Sequence, residues 1–386
     1  MAQTTQFDKL RKQRRRRKRI RRLITALLVL AIIGVGVLSA AVFYQLDLTT
    51  QLQNTWASAT TRGQGYPISV RNLQVRGVET LGRDLVVVAD SGVYVYNAKG
   101  GLLAARVNQY TQPVVRMAGG KLLTYDLGGY SLRVDNKAKE LHSLTAPGRI
   151  YAADLSPSGH LAVGSAPEGF LARVTVYSPT AQEQYSWSTN DCYLTDLRLS
   201  PRGDSFCAAG VSGGTDGTLQ GQLRFHQTGR DQEIAKVVLP GELVISMAWV
   251  PQERLQVVTD RGAYLYDKGG SQLAHTPLPR DITHLEHAPQ GGLYLAHGDH
   301  RSAGGAVVEA YGPDLTLLGS YSTDRRILSL DAEGTRLVIL TEGRLLLGDA
   351  NLSQVQQRRD TELYYLAVTG NMIYGITPQG LVQEEL

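Results

Sequence analysis

Residues 85–97 read Leu-Val-Val-Val-Ala-Asp-Ser-Gly-Val-Tyr-Val-Tyr-Asn. A β-branched run meets Asp-Ser-Gly and continues as a second run with alternating tyrosine. Val, Ile, Tyr and Thr suit strands, and Gly supplies the left-handed backbone of a tight turn, so the stretch predicts two antiparallel strands around a hairpin. The same unit returns as KLLTYDLGGYSLRVD at 121–135, LQVVTDRGAYLYD at 255–267, RLVILTEGRLLLGD at 336–349 and NMIYGITPQGLVQEEL at 371–386. VYVY at 93–96 and AYLY at 263–266 are apolar on both strand faces. A two-sheet sandwich leaves one face of each strand to water, so these strands require cover on both sides.

A second element precedes several of these units: an apolar run, a turn, and the next strand. It reads LSPSG at 155–159, LSPRG at 199–203, VPQE at 250–253, APQGG at 288–292 and DAEG at 331–334. The period is about 40 to 50 residues with four short strands per repeat, which is the signature of β-propeller blades. No segment after residue 65 keeps a helical apolar period over ten residues, which excludes helical repeats. Gly accounts for 41 of 386 residues, in keeping with many tight turns.

Inner strands are expected to start near 75, 114, 150, 193, 243, 282, 327 and 363. That makes an all-β, eight-bladed propeller, with a seven-bladed ring and a free C-terminal segment as the alternative. The last blade runs out after three strands, while an orphan extended segment, YPISV at 66–70, precedes the first. An open edge is a liability in a ring. Residues 66–70 are therefore expected to supply the outer strand of the last blade.

The net charge of +5 is unevenly placed. Residues 1–22 hold eleven Lys or Arg against Asp8, leaving 29 bases and 34 acids in the remainder. The protein is thus a mildly acidic body with a basic tail, not a basic nucleic-acid-binding domain. Residues 23–46, LITALLVLAIIGVGVLSAAVFYQL, carry no charge and would span about 36 Å as a helix, enough for a bilayer core. Bases before this run and Asp47 after it place the N-terminus in the cytoplasm and the body outside. A secretion signal cleaved near Ser39-Ala40-Ala41 is the competing reading. The expected domains are a basic tail (1–22), a transmembrane helix (23–46), a polar juxtamembrane linker with at most a short helical turn (47–65) and an extracytoplasmic propeller (66–386). Arg14, Arg15, Arg16 and Arg17 would meet anionic lipid. No aromatic residue is interleaved with these bases, which argues against single-stranded nucleic acid as a partner.

Gly65-Tyr66-Pro67, the 85–97 hairpin, Gln112-Pro113, YDLGGYSLRV at 125–134 and LSPSGHLAVGS at 155–165 together resemble a bacterial family of membrane-anchored β-propeller proteins of unassigned function, common in anaerobic Gram-positive bacteria. The resemblance implies one span and an external propeller, and it supplies no catalytic residues. The Ser-Pro-x-Gly turns are also similar to those of WD40-like repeats, without their Trp-Asp and Gly-His dipeptides. The Trp docking motif of quinone-binding propellers is absent; Trp56, Trp187 and Trp249 have no repeat relation.

Chemistry-bearing residues are few. Gly210-Val211-Ser212-Gly213-Gly214 matches G-x-S-x-G but lies in a Gly-rich insertion between strands, without the strand-to-helix elbow of a nucleophile. His275, His284, His287, His297 and His300 cluster with Asp299, and His284, His297, Asp299 and His300 are the first candidates for a rim or channel site. His284 and His287 should point to opposite strand faces. Cys192 and Cys207 flank one turn with an offset too long for a disulfide and are expected as free, at least partly buried thiols. Tyr94, Tyr96, Tyr264 and Tyr266 are expected to pack between blades. These observations assign no catalytic, cofactor or metal residues. They point to a non-enzymatic, membrane-tethered module binding a protein or envelope polymer, with an extracytoplasmic enzyme or ligand sensor as the alternative.

Overall fold

The protein is described from a computed structural model covering residues 47–214, 217–298 and 305–386. The basic tail and the apolar run 23–46 lie outside the described residues, as do Asp299 and His300. Among the described residues no helix is long and apolar enough to cross a membrane.

Among the described residues, strands pair with their sequence neighbours in seven four-stranded sheets and one three-stranded sheet, all antiparallel. The eight sheets are the blades of a propeller. Their inner strands are Val75–Leu81, Pro113–Ala118, Arg149–Leu155, Tyr193–Leu199, Val244–Val250, Ile282–His287, Ile327–Glu333 and Tyr365–Thr369, for blades 1 to 8 in order. Each start falls within two residues of its expected position.

The apolar residues explain the arrangement. The second and third strands of each blade carry the β-branched and aromatic runs, and they are buried on both faces: Asp84–Ala89 throughout, and Gly262–Tyr266 throughout. The core is therefore divided into eight apolar clusters, each shared by two neighbouring blades. Outer strands, by contrast, alternate or stay exposed, as in Leu102–Val107 and Val355–Asp360. The tyrosines behave as the third-strand pattern requires. Tyr266 is buried, and Tyr264 reaches the carboxylate of Glu242 with its hydroxyl at 2.8 Å.

Ring closure uses both ends of this unit. Ile68 forms an antiparallel bridge with Leu381 on the third strand of blade 8, supplying the missing outer pairing. Tyr374 of blade 8 donates its hydroxyl to the Arg83 carbonyl of blade 1 at 2.9 Å, and Thr369 donates to the Gly82 carbonyl at 2.8 Å. The cluster at this seam joins Ile68, Val78, Leu85, Tyr374 and Leu381.

The stretch 47–65 departs from the expected linker. It contains a 13-residue helix, α1 (Leu48–Thr60). From Thr50 onward the helix is fixed by hydrogen bonds to the turns of blades 1 and 2. Asn54 donates to the Gly120 carbonyl at 2.7 Å and accepts from the Lys137 backbone at 2.9 Å. Ser58 donates to Asp84 at 2.5 Å, and Asn97 donates to the Thr61 carbonyl at 2.8 Å. Polar side chains hold α1 in place, so apolar periodicity could not reveal it.

Candidate interaction face

A propeller has two unlike ends. Turns joining first to second and third to fourth strands lie at one end, here called the lower end, where α1 docks. Turns joining second to third strands, and the connections between blades, lie at the upper end.

Exposed aromatic residues are concentrated at the upper end. Tyr130 and Phe170 sit in the second-to-third-strand turns of blades 2 and 3. Tyr151 is the third residue of the inner strand of blade 3, Tyr193 opens that of blade 4, and Tyr364 immediately precedes that of blade 8. Tyr193 is 59% exposed and Tyr364 56%. Among the described residues the other exposed large aromatic is Trp56, on α1. Leu219, Leu243 and Ile245 extend the apolar surface across blades 4 and 5. Two arginines stiffen it: the Arg149 guanidinium lies 5.9 Å from the Tyr130 ring and donates to the Gly128 carbonyl at 3.0 Å, while Arg173 lies 5.1 Å from Phe170. Tyr and Arg on a rigid surface are the residue types that dominate protein recognition. Where blade 8 meets blade 1, the same end has a cleft of about 550 Å³ walled by Val70, Leu73, Tyr364, Tyr365, Ile376 and Pro378, with Arg71 at its edge.

The central channel is charged. The residue after the central apolar position of each inner strand is Glu79, Arg116, Asp154, Arg198, Ala248, Glu286, Asp331 and Val368, in blade order. Part of this charge fastens blades together. Asp154 accepts from the Leu199 backbone at 2.8 Å and Asp331 from the Val368 backbone at 2.7 Å, each in the following blade. Arg198 donates to the Met247 carbonyl at 2.6 Å and lies 3.3 Å from Asp196. Glu79, Glu286 and Asp331 form an acidic side. Burial, then the carboxylates of Asp331 and Glu79, push Glu286 up to about 8. Burial pushes Asp331 up to about 7, with Glu333 and Glu79 adding to it against the Val368 hydrogen bond. Burial also raises Glu79, partly offset by Arg116. Glu79 is exposed, yet protein on several sides desolvates its carboxyl, as the wall of a narrow channel does.

Among the described residues, the candidate histidines each have their own separate partners. His284 faces blade 7, 3.1 Å from the Leu328 carbonyl. His287 faces blade 5, 2.9 Å from Ser246 and 2.6 Å from Gln256. His297 is 3.6 Å from Glu309, and His275 stacks on Tyr264 with ring centroids 4.4 Å apart. Among the described residues no group of three His, Cys, Asp or Glu could hold a metal ion. Ser212 sits in a long hairpin of blade 4, where its hydroxyl accepts from Gln222 at 2.6 Å; the chain continues as strand, so no nucleophile elbow forms. Cys192 and Cys207 are free and buried.

Sequence reasoning missed the upper-end aromatics and the channel charges. A turn aromatic beside glycine, as in Gly129-Tyr130 and Gly169-Phe170, and a lone charge inside an apolar inner strand, as in Val115-Arg116-Met117, were the available signals.

Residues 59–351 match the model of a family described as a family of unknown function (DUF5711), and the chain belongs to that family. No curated protein matches it in sequence. Among solved structures, Sqt1 of Saccharomyces cerevisiae is similar at 11% identity and a TM-score of 0.59, over 84% of this chain and 99% of that one. The C-terminal WD40 domain of Sif2 is similar at 12% identity and 0.56, over 81% and 95%. BamB from Moraxella catarrhalis is similar at 14% identity and 0.51, over 82% and 94%. At these identities the likeness is one of fold: a WD40-like and quinoprotein-like β-propeller.

Proposed function

Taking the chain as a member of that family, we propose that it is a non-enzymatic interaction scaffold. It is tethered to the membrane by residues 23–46, with Arg14, Arg15, Arg16 and Arg17 on anionic lipid at the cytoplasmic side and the propeller outside the cell membrane. Its upper end binds a protein partner. The observation that carries this reading is the confinement of Tyr130, Tyr151, Phe170, Tyr193 and Tyr364 to one end of a rigid ring. Rigid aromatic groups lose little conformational entropy on binding, so such a surface gains affinity cheaply. The uncharged run and the bases before it support the tether.

The test compares partner co-purification from solubilised native membranes for full-length variants. Tyr193→Ala and Ile245→Ala should each reduce recovery of the same partner by tenfold or more, on the order of a single interface hot spot. Leu318→Ala, on the outer strand of blade 6 toward the lower end and 45% exposed, should leave recovery unchanged. Equal recovery with all three variants would overturn the assignment of this face.

A further inference from the structure

Helix α1 is amphipathic in reverse. The side chains it turns toward the propeller are polar: Thr50 and Asn54 are buried, and Ser58 bonds Asp84. On a helix of 3.6 residues per turn, Leu52 and Trp56 share the opposite side. They are 62% and 73% exposed. A helix resting on a globular body ordinarily buries its apolar stripe and shows water its polar one. This helix packs through hydrogen bonds, and among the described residues its apolar stripe has no partner.

The surroundings indicate what covers that stripe. The segment after the helix and the turns that hold it carry Arg62, Arg83, Lys99 and Lys139, all exposed, against one exposed acid, Glu140. An outward Leu and Trp beside exposed cations is the composition of a surface that lies in the headgroup region of an anionic bilayer. Trp is also the residue type favoured at that depth. Chain length adds a constraint. The uncharged run ends at Leu46, six residues before Leu52. Because α1 starts at Leu48, the path from Leu46 to Leu52 is at most about 13 Å.

We propose that Leu52 and Trp56 insert into the interfacial layer of an anionic membrane, with Arg62, Arg83, Lys99 and Lys139 at the headgroups, so that α1 holds the lower end of the propeller against the bilayer. This inference rests on the reading of residues 23–46 as a membrane anchor. It makes the protein an oriented platform, because a single-span tether alone would let the propeller rotate freely.

The experiment uses the full-length chain in vesicles of phosphatidylcholine and phosphatidylglycerol whose acyl chains carry bromine near the headgroup. Bromine quenches tryptophan on contact, and Trp187 and Trp249 are partly buried in the propeller. The expected result is quenching of the native chain that disappears in Trp56→Phe and weakens in Leu52→Asp. Both sites are exposed, so the fold tolerates the changes. If the chain resists carbonate extraction yet Trp56→Phe is quenched as strongly as the native chain, the interfacial helix is overturned and the anchor stands. If carbonate extracts the chain, the anchor reading fails and this inference fails with it. If Trp56 is unquenched and the solubilised protein is a dimer, a second copy covers the stripe and the lipid assignment is wrong.

Discussion

Ile68 and Leu381 exchange both backbone hydrogen bonds, at 2.9 and 2.8 Å, and so join the two ends of the propeller in one antiparallel bridge. Gly380 makes this approach possible. Its φ is +145°, and a Cβ there would lie 2.2 Å from the Ile68 carbonyl oxygen. Gly380→Val should therefore lower stability by about 1–3 kcal/mol from backbone strain, with the close approach to Ile68 adding to the loss. Deleting the chain through residue 71 should do more, since it also exposes the edge of blade 8. Thermal unfolding checks both. Melting temperatures equal to that of the native chain would remove Ile68 from ring closure.

Asp84 and Lys137 form an ion pair at 2.6 Å between blades 1 and 2, with side chains 4% and 10% exposed. Ser58 of α1 donates to the same carboxylate oxygen. Removing one partner strands a buried charge, so Asp84→Ala should cost about 3–5 kcal/mol. Asp84→Leu combined with Lys137→Met should cost less than the two single changes added together. Denaturant titration of the four proteins measures the difference.

Stability should fall between neutral and alkaline pH. Glu286 titrates at about 8 and Asp331 at about 7 in the folded chain, against ordinary values of 4.5 and 3.8. The folded state thus binds more protons than the unfolded state across that window, and stability is lost as pH rises through it. His226 and His287 act oppositely: burial holds them at about 4 and about 3 against 6.5, so they cost stability as pH falls below 6.5. The two effects offset each other down to about pH 4.5. A plateau up to about pH 6.5 followed by a decline toward pH 8 is the expected melting profile. Glu286→Gln should flatten the decline, and a native melting temperature that rises over pH 6.5–8 would contradict it.

The parts of the fold that repeat were legible, and the parts that occur once were not. Each blade must bury both faces of its second and third strands, so 85–97 and 255–267 show the same apolar signature wherever they fall. Closure by residues 66–70 followed from counting strands. Register did not: the sequence does not show that Cys207 pairs with Arg198, nor that a bulge between Leu194 and Asp196 shifts the ladder before Cys192 is reached. Helix α1 was hidden because its buried side is Thr50 and Asn54, which read as a polar linker. The upper-end surface was hidden for another reason. Tyr193 and Tyr266 both lie in strands, and what separates them is strand order within the blade: a third-strand tyrosine is buried between neighbours, while one that opens an inner strand projects beyond them.

In the native membrane the upper end of the propeller should be occupied by a partner. Cysteine footprinting tests it directly, because Cys192 and Cys207 are 2% and 0% exposed and contribute little background. Tyr193→Cys, Ile245→Cys and Leu318→Cys, each in the full-length chain, are reacted with a membrane-impermeant maleimide in wall-less cells and again after purification. Labelling is expected at all three positions in intact cells, with positions 193 and 245 reacting at least tenfold more slowly there than in the purified protein and position 318 reacting equally in both, an attenuation on the order of one buried interface contact. Equal rates at all three positions in cells and in the purified protein, or no labelling of position 318 in intact cells, would contradict occupation of the upper end outside the membrane.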